Sequence, residues 1–292
     1  MTKFAISVSA GADLDINYVV THEIRALSMR YVIEEGLNVV THSYGSGEPE
    51  IGLKDFYELI KTCAYARSVS NTEAELFNHF KNIYNTNQKH IVHFCLSSAV
   101  SGNYQNAKLA AFKFNQQHPE GRVIIVDSKQ MSHGLALMVD AAVRMRDQDY
   151  NMVDTVEWIE KNKDNFCTFL TIADPFCLRR SGRAPYLLDF LGGDLGMKPI
   201  FKVDDEGKVA PVDKTKTRKE AIYRLFELFK ANVKDHTGKV FIGHADCRED
   251  AETLKNLVEK YASYIHVGFM GPIIGISSGP GALAISYVGN GR

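Results

Sequence analysis

The feature that most constrains this chain is a switch of hydrophobic period that recurs through its first half. Phe4-Ala5-Ile6-Ser7-Val8 is a buried-strand run, and a short helix is predicted from Asp15 to Val20. Ile24 to Ile33 places Leu27, Met29, Tyr31 and Ile33 on one face with period two, a half-buried strand. Glu34-Glu35-Gly36 reads as a turn into Leu37-Asn38-Val39-Val40. His42 to Gly52, with Gly45, Gly47 and Pro49, reads as a loop. Helical spacing covers Leu53 to Ala66 and Glu73 to Tyr84. A strand (His90 to Leu96), a helix (Asn103 to Gln116), a strand (Arg122 to Val126) and a helix (Gln130 to Arg146) follow. Strands alternating with helices of this length are βαβ units, which predicts a parallel sheet with helices on both faces.

The second half has a different grammar. A helix over Val153 to Lys161 leads to a strand (Phe166 to Ile172), short helical pieces (Pro175 to Arg180, Pro185 to Leu191) and a hairpin. The hairpin strands are Lys198 to Val203 and Lys208 to Val212, joined by Asp204-Asp205-Glu206-Gly207. Helix Arg218 to Lys234, strand Lys239 to His244, helix Arg248 to Tyr261 and strands near Ile265 and Leu283 complete a mixed α+β unit. A length of 292 residues suits about two domains at roughly 150 residues each. The expected division is an α/β domain over 1–162 and an α+β domain over 163–292. No internal repeat or low-complexity tract interrupts it.

Charge and cysteine usage exclude several classes. Lys and Arg number 34 against 35 Asp and Glu, which argues against nucleic-acid binding through a global basic field. The opening residues turn polar by Ser7, leaving no room for a signal-peptide core. Five cysteines, odd in number and without a CxxC, fit reduced thiols in a cytoplasmic protein. Tyr261 to Gly291 carries no Asp, Glu, Lys or Arg, yet Pro272, Pro280 and the glycines Gly268, Gly271, Gly275, Gly279, Gly281 and Gly289 break it. Counting Gly291 the glycines number seven, and that pattern predicts buried strands joined by a loop, not a membrane span.

Candidate chemistry clusters in a few loops. Leu96-Ser97-Ser98-Ala99-Val100-Ser101-Gly102-Asn103 follows a strand and opens a helix, so its hydroxyls and free N–H groups could hold a carboxylate or phosphate. Alternatively, Ser101 is simply an N-cap. Gly275-Ile276-Ser277-Ser278-Gly279 fits the G-x-S-x-G nucleophile elbow. That motif needs a helix after the serine and a later acid and histidine. Pro280-Gly281 opposes the helix and no acid or histidine follows, so a serine hydrolase is rejected. Gly279-Pro280-Gly281-Ala282-Leu283-Ala284 only loosely matches a dinucleotide loop, and no Walker loop occurs. Leu178-Arg179-Arg180-Ser181-Gly182-Arg183 gathers three guanidiniums suited to phosphate or carboxylate, or to a solvated surface turn. Lys214-Thr215-Lys216-Thr217-Arg218-Lys219 heads a helix, where positive charge opposes the macrodipole. The ten histidines show no paired ligand spacing, so no metal is expected.

Taken in order, these pieces resemble the DegV family of bacterial fatty-acid-binding proteins over nearly the whole chain. Ser9-Ala10-Gly11-Ala12-Asp13-Leu14 is similar to the family's D-S-T-x-D-L turn. Ser97-Ser98-Ala99-Val100-Ser101-Gly102-Asn103-Tyr104 is similar to S-S-x-L-S-G-T-Y, and Val126-Asp127-Ser128 to V-D-S. Leu178 to Arg183 resembles L-x-K-G-G-R, Met197-Lys198-Pro199-Ile200 resembles I-K-P-I, and Gly271 to Gly281 resembles G-P-V-I-G-x-H-x-G-P-G. The resemblance implies a non-catalytic, cofactor-free protein that buries one long-chain fatty acid between two domains. Some members present the acyl carboxylate to a separate fatty acid kinase. By position, the hydroxyl contacts would be Ser68, Ser97 and Ser98, with Ser277 and Ser278 from the closing loop. Arg183, Lys216 and Arg218 would face the partner or the phosphate.

Several positions depart from the family. Ser9 replaces the first-turn aspartate, Ser68-Val69 the Thr-Ser pair, Asn71 the following proline and Ser277-Ser278 the His-Thr pair. Lys216 stands for an arginine of V-R-G-R. These changes bear on the kinase hand-off more than on lipid binding. Each buried CH₂ contributes roughly 0.8 kcal/mol, whereas a hydrogen bond to a charged group nets ~1.5–3 kcal/mol. The tail sets affinity and the polar loop sets orientation. A DegV-like carrier or sensor of another apolar carboxylate, without the hand-off, is the alternative.

Overall fold

The computed structural model describes residues 4–35, 38–45, 49–62, 65–86, 90–184, 187–192, 194 and 196–292. The first part of the chain runs through β1 (Ala5–Ser9), α1 (Ile16–Thr21), β2 (Arg25–Leu27), β3 (Met29–Glu35), β4 (Asn38–Tyr44), α2 (Leu53–Thr62), β5 (Tyr65–Val69) and α3 (Glu73–Tyr84). It continues with β6 (His90–Cys95), α4 (Asn103–Gln117), β7 (Arg122–Asp127), α5 (Ser132–Asp147) and α6 (Met152–Asn162). Next come β8 (Phe166–Thr171), α7 (Pro175–Arg180), α8 (Leu187–Leu191), β9 (Lys198–Val203), β10 (Val209–Thr215) and α9 (Arg218–Asn232). The last elements are β11 (Lys239–His244), α10 (Arg248–Val258), β12 (Tyr264–Phe269), α11 (Pro272–Ser278) and β13 (Leu283–Val288).

The expected parallel sheet is present, in the order β2-β1-β6-β7 with every pairing parallel. Apolar side chains alternate across it. Ala5, Ile91 and Val123 pack with α3 and α4 on one face, while Ile6, Val92 and Phe94 join the cluster containing α5 on the other. The second part forms a mixed six-stranded sheet, β10-β9-β8-β13-β11-β12, in which only β11–β12 pair in parallel. Helices α9 and α10 cover one face of it. α5 covers the other, touching β8, β11 and β13 while also touching β1. Thirteen of the sixteen α5 residues are buried. A helix buried on most of its circumference belongs in an interior, and here that interior lies between the parallel sheet and the six-stranded sheet.

The sequence reading needs correction at four places. Ile24 to Ile33 is not one strand: the chain turns at Ser28, sending Leu27 into the parallel sheet and Met29, Tyr31 and Ile33 into a separate antiparallel sheet, β4-β3-β5. Period two is the same on both sides of such a break. The helix predicted through Ala66 stops at Thr62, and Tyr65–Val69 instead pairs with β3, a partner far away in sequence. The loop predicted from His42 begins after Tyr44. In the charge-free run, the segment joining two strands is a helix, α11, with Pro272 in its first turn and Gly279 at φ 75° ending it. Gly36, Cys63 and Pro185, which featured in the sequence reading, lie outside the described residues. Among the described residues, no helix is long and apolar enough to cross a membrane.

Candidate functional site

Two elements that the sequence reading misplaced, β5 and α11, meet the turn after α7 at one place. β5 delivers Ser68 and, just beyond its end, Ser70; α11 delivers Ser277 and Ser278; the turn after α7 delivers Arg183. All five line one cavity. The remaining wall is mostly apolar, including Met29, Leu96, Val100, Leu170, Leu178, Met270 and Ile273. Among the described residues the hydroxyls of Ser68, Ser70 and Ser277 make no hydrogen bond, and all three residues are half-buried. Ser278 is buried, its hydroxyl 3.8 Å from the Met270 sulfur. Arg183 donates to the Ser181 carbonyl and also lines a small adjoining recess with Arg67, Arg180 and Tyr65. This part of the lining therefore joins spare hydroxyls to guanidiniums, groups that suit an anion beside apolar surface.

The serine loop has other duties. Ser97 is fully buried; its Oγ donates to the Gly207 carbonyl (2.8 Å) and accepts from the Ala99 N–H (3.2 Å). This ties the loop to the tip of the β9–β10 hairpin. Ser98 is exposed, and its Oγ donates to Asp127 Oδ2 (2.5 Å) while its N–H donates to Oδ1 (3.0 Å). Burial alone would raise the Asp127 pKa, but these Ser98 bonds and Lys129 at 3.0 Å outweigh it and lower it. Neither Ser97 nor Ser98 lines the cavity. Ser101 does; its Oγ accepts from the Asn103 N–H (3.3 Å), but the N-cap of α4 is Gly102, so Ser101 is not the cap expected as the alternative. Behind the loop, Asn103 donates to Ser9 Oγ (2.7 Å), and Ser7 Oγ sits 2.8 Å from both His93 Nδ1 and His79 Nε2. Burial pushes these imidazoles down to about 3 (His93) and about 4 (His79), so both are neutral props.

The basic run is likewise placed elsewhere. Lys214 Nζ donates to the Phe190 and Leu191 carbonyls at the end of α8, Arg218 pairs with Asp250 at 2.8 Å, and Lys216 is exposed. Lys214 and Lys216 border a separate shallow recess beside Tyr223 and Arg224. The clash with the α9 dipole is relieved locally by a capping box in which Thr217 and Glu220 satisfy each other's backbone. Ser277 ends α11 instead of opening a helix, which removes the geometric basis of the nucleophile elbow. Among the described residues, no group of three or more His, Cys, Asp or Glu is placed to hold a metal.

One polar feature of the wall went unread in the sequence. Asp13 and Ser132 both sit in the left-handed region (φ 50° and 47°), and Ser132 Oγ donates to Asp13 Oδ2 at 2.6 Å. His133 Nδ1 lies 3.0 Å from the same hydroxyl. Burial raises the Asp13 pKa to about 7 and lowers that of His133 to about 3. Ser132 and His133 line the same cavity. Asp13 looks into clefts on the far side, between α1 and the β11–β12 edge.

The fold is thus a three-sheet α/β scaffold around a largely apolar cavity whose lining includes serine hydroxyls and Arg183. The model of the DegV family, described as an uncharacterised protein family, matches residues 3–290. A DegV domain-containing protein of Clostridium perfringens is 30% identical over 99% of both chains. The chain therefore belongs to the DegV family. Among solved structures, a Thermotoga maritima protein described as revealing a fatty acid binding function superposes with a TM-score of 0.84 at 20% identity, covering 99% of this chain and 100% of that one. A Eubacterium eligens DegV family protein loaded with heptadecanoic acid gives 0.82 at 14% identity, over 98% and 99%.

Proposed function

We propose that this protein binds a long-chain fatty acid in the cavity between its sheets and presents the carboxyl group to a separate fatty acid kinase, without catalysis of its own. The observation that carries the reading is an apolar cavity with three uncommitted hydroxyls, Ser68, Ser70 and Ser277, of which Ser68 and Ser277 also line the arginine recess. The head-group role moves from Ser97 and Ser98, whose hydroxyls are committed to Gly207 and Asp127, to these three. Fatty acids carried by relatives of the same fold support the ligand class. The recess lined by Arg67, Arg180 and Arg183 would receive the phosphoryl group, whose charge exceeds that of the carboxylate. Lys216 and Arg218 stand apart from that recess and would serve only in contacts with the partner. A cytoplasmic location suits this role.

Native mass spectrometry of the purified protein, followed by organic extraction, tests the reading. A co-purifying fatty acid in one-to-one ratio is expected. A protein that is empty and binds no added fatty acid would overturn it. A different apolar carboxylate in the extract would leave the cavity's role and change its cargo.

A further inference from the structure

The inner end of the cavity is not hydrocarbon-like. Thr168 on β8 and Ser286 on β13 are directly paired across the sheet, both buried, and both line the cavity. Leu170 and Ala284, the next pair on the same face, lie about 7 Å along the strands. The chain leaves β8 at Thr171 toward α7 and Arg183. The floor thus runs from the arginine end, past Leu170 and Ala284, to two hydroxyls.

The direction of each hydrogen bond in the chain from Gln130 through Thr168 to Ser286 is fixed. Gln130 Nε2 donates to the Phe166 carbonyl (2.6 Å), so Gln130 Oε1 is the amide's acceptor. Thr168 Oγ1 lies 2.8 Å from Oε1 and must donate to it, which uses its only proton. Ser286 Oγ, 2.9 Å from Thr168 Oγ1, must then donate in turn. Ser286 is left with lone pairs alone. An oxygen that can only accept, at the end of an apolar cavity, selects a ligand that brings a donor.

We propose that this cavity is specific for a long-chain acid bearing a hydroxyl group on its chain, the hydroxyl donating to Ser286. The proposal rests on the fatty-acid reading above and names its substrate class. A keto group at the same carbon would set lone pairs against lone pairs. A hydroxyl held against Leu170 or Ala284 would be buried without a partner.

The experiment measures affinities of sixteen-carbon acids that are unsubstituted, or carry a hydroxyl or keto group at successive carbons of the distal half. One hydroxyl position is expected to bind at least as tightly as the unsubstituted acid, and about tenfold tighter than its keto counterpart and its positional isomers. Ser286→Ala should erase that position and strengthen binding of the unsubstituted acid. Thr168→Val should free the Ser286 proton and shift preference toward the keto acid, with melting temperature confirming a folded protein. If the unsubstituted acid binds while no hydroxyl position is favoured, or the keto acid binds equally well, the hydroxyl inference fails alone. If no acid of the set binds, the fatty-acid reading has failed with it.

Discussion

Replacing Asp13 with asparagine changes the pH dependence of stability in a way the structure fixes in sign. Asp13 is buried, and its pKa is raised from the ordinary 3.8 to about 7, chiefly by burial and against the Ser132 hydrogen bond. The folded chain therefore holds this proton more tightly than the unfolded chain does. Below about 3.8 both states are protonated and the group is neutral in its effect. As pH rises from there to about 7 the unfolded state gains charge first, so the wild type loses stability, levelling off above. At 1.36 kcal/mol for each pH unit the loss reaches on the order of 4 kcal/mol. Asparagine keeps an oxygen for the Ser132 hydroxyl and cannot ionise. Asp13→Asn should match the wild type near pH 4 and exceed it by several kcal/mol at pH 8. Urea unfolding of both proteins, freed of ligand, at half-unit intervals from pH 4 to 8 gives the difference directly, because the other titrating groups are common to both. A difference that stays flat with pH would refute the assignment of a buried, reluctant carboxyl to Asp13.

Other outcomes follow from the same geometry. Ser68→Ala and Ser277→Ala should each weaken fatty-acid binding by ~1–2 kcal/mol and leave a fatty alcohol unaffected, whereas Ser98→Ala should change neither; calorimetry of the two ligands distinguishes head-group contact from general damage. Arg183→Ala should keep acid affinity within about twofold, well inside the ~1.4 kcal/mol of a tenfold change, yet sharply lower acyl-phosphate formation with a cognate kinase. Gly134→Ala would bring a methyl group to 2.5 Å from Thr168 Oγ1 and 2.3 Å from Gln130 Oε1, and should cost ~1–3 kcal/mol in denaturant unfolding. Below about pH 6.5, buried His79, His93 and His133, with pKa values of about 4, 3 and 3, should make stability fall as acid is added; His93→Gln should reduce that slope.

Much of the fold was legible because its elements are locally determined. Glu73–Tyr84, Pro175–Arg180 and Lys239–His244 carry their own periodicity, caps or bounding turns, and the structure reproduces them to the residue. The failures share a cause. β5 and the break at Ser28 exist because β3 finds partners on both sides, and pairing between distant segments leaves no period in either one. The site suffered in the same way. Ser277, Ser278 and Arg183 were singled out from local motifs and do meet at the cavity. Ser97 and Ser98 looked equally suitable in sequence, because nothing there says that Gly207, 110 residues on, and Asp127 will claim their hydroxyls. Ser70, Arg67 and the Ser286–Thr168 pair carried no signal at all. A lone serine between apolar neighbours on a strand reads as ordinary alternation until the opposite strand is known.

The burial of α5 on most of its circumference has a consequence for how the chain is made. As it leaves the ribosome, residues 132–147 appear before β8, β11 and β13 have been synthesised. The parallel sheet can shield one flank of the helix. The flank holding His133 and Gly134, which in the finished molecule presses against Gly243 and Thr168, has nothing yet to press against. For the time needed to translate roughly 150 further residues, at about 5–20 residues per second, the nascent chain exposes a sticky half-core. That stripe stays uncovered until β13, which sits between β8 and β11 near the middle of the six-stranded sheet, has been translated. Truncations within the last strand should accordingly aggregate during translation, and not simply yield a smaller folded protein.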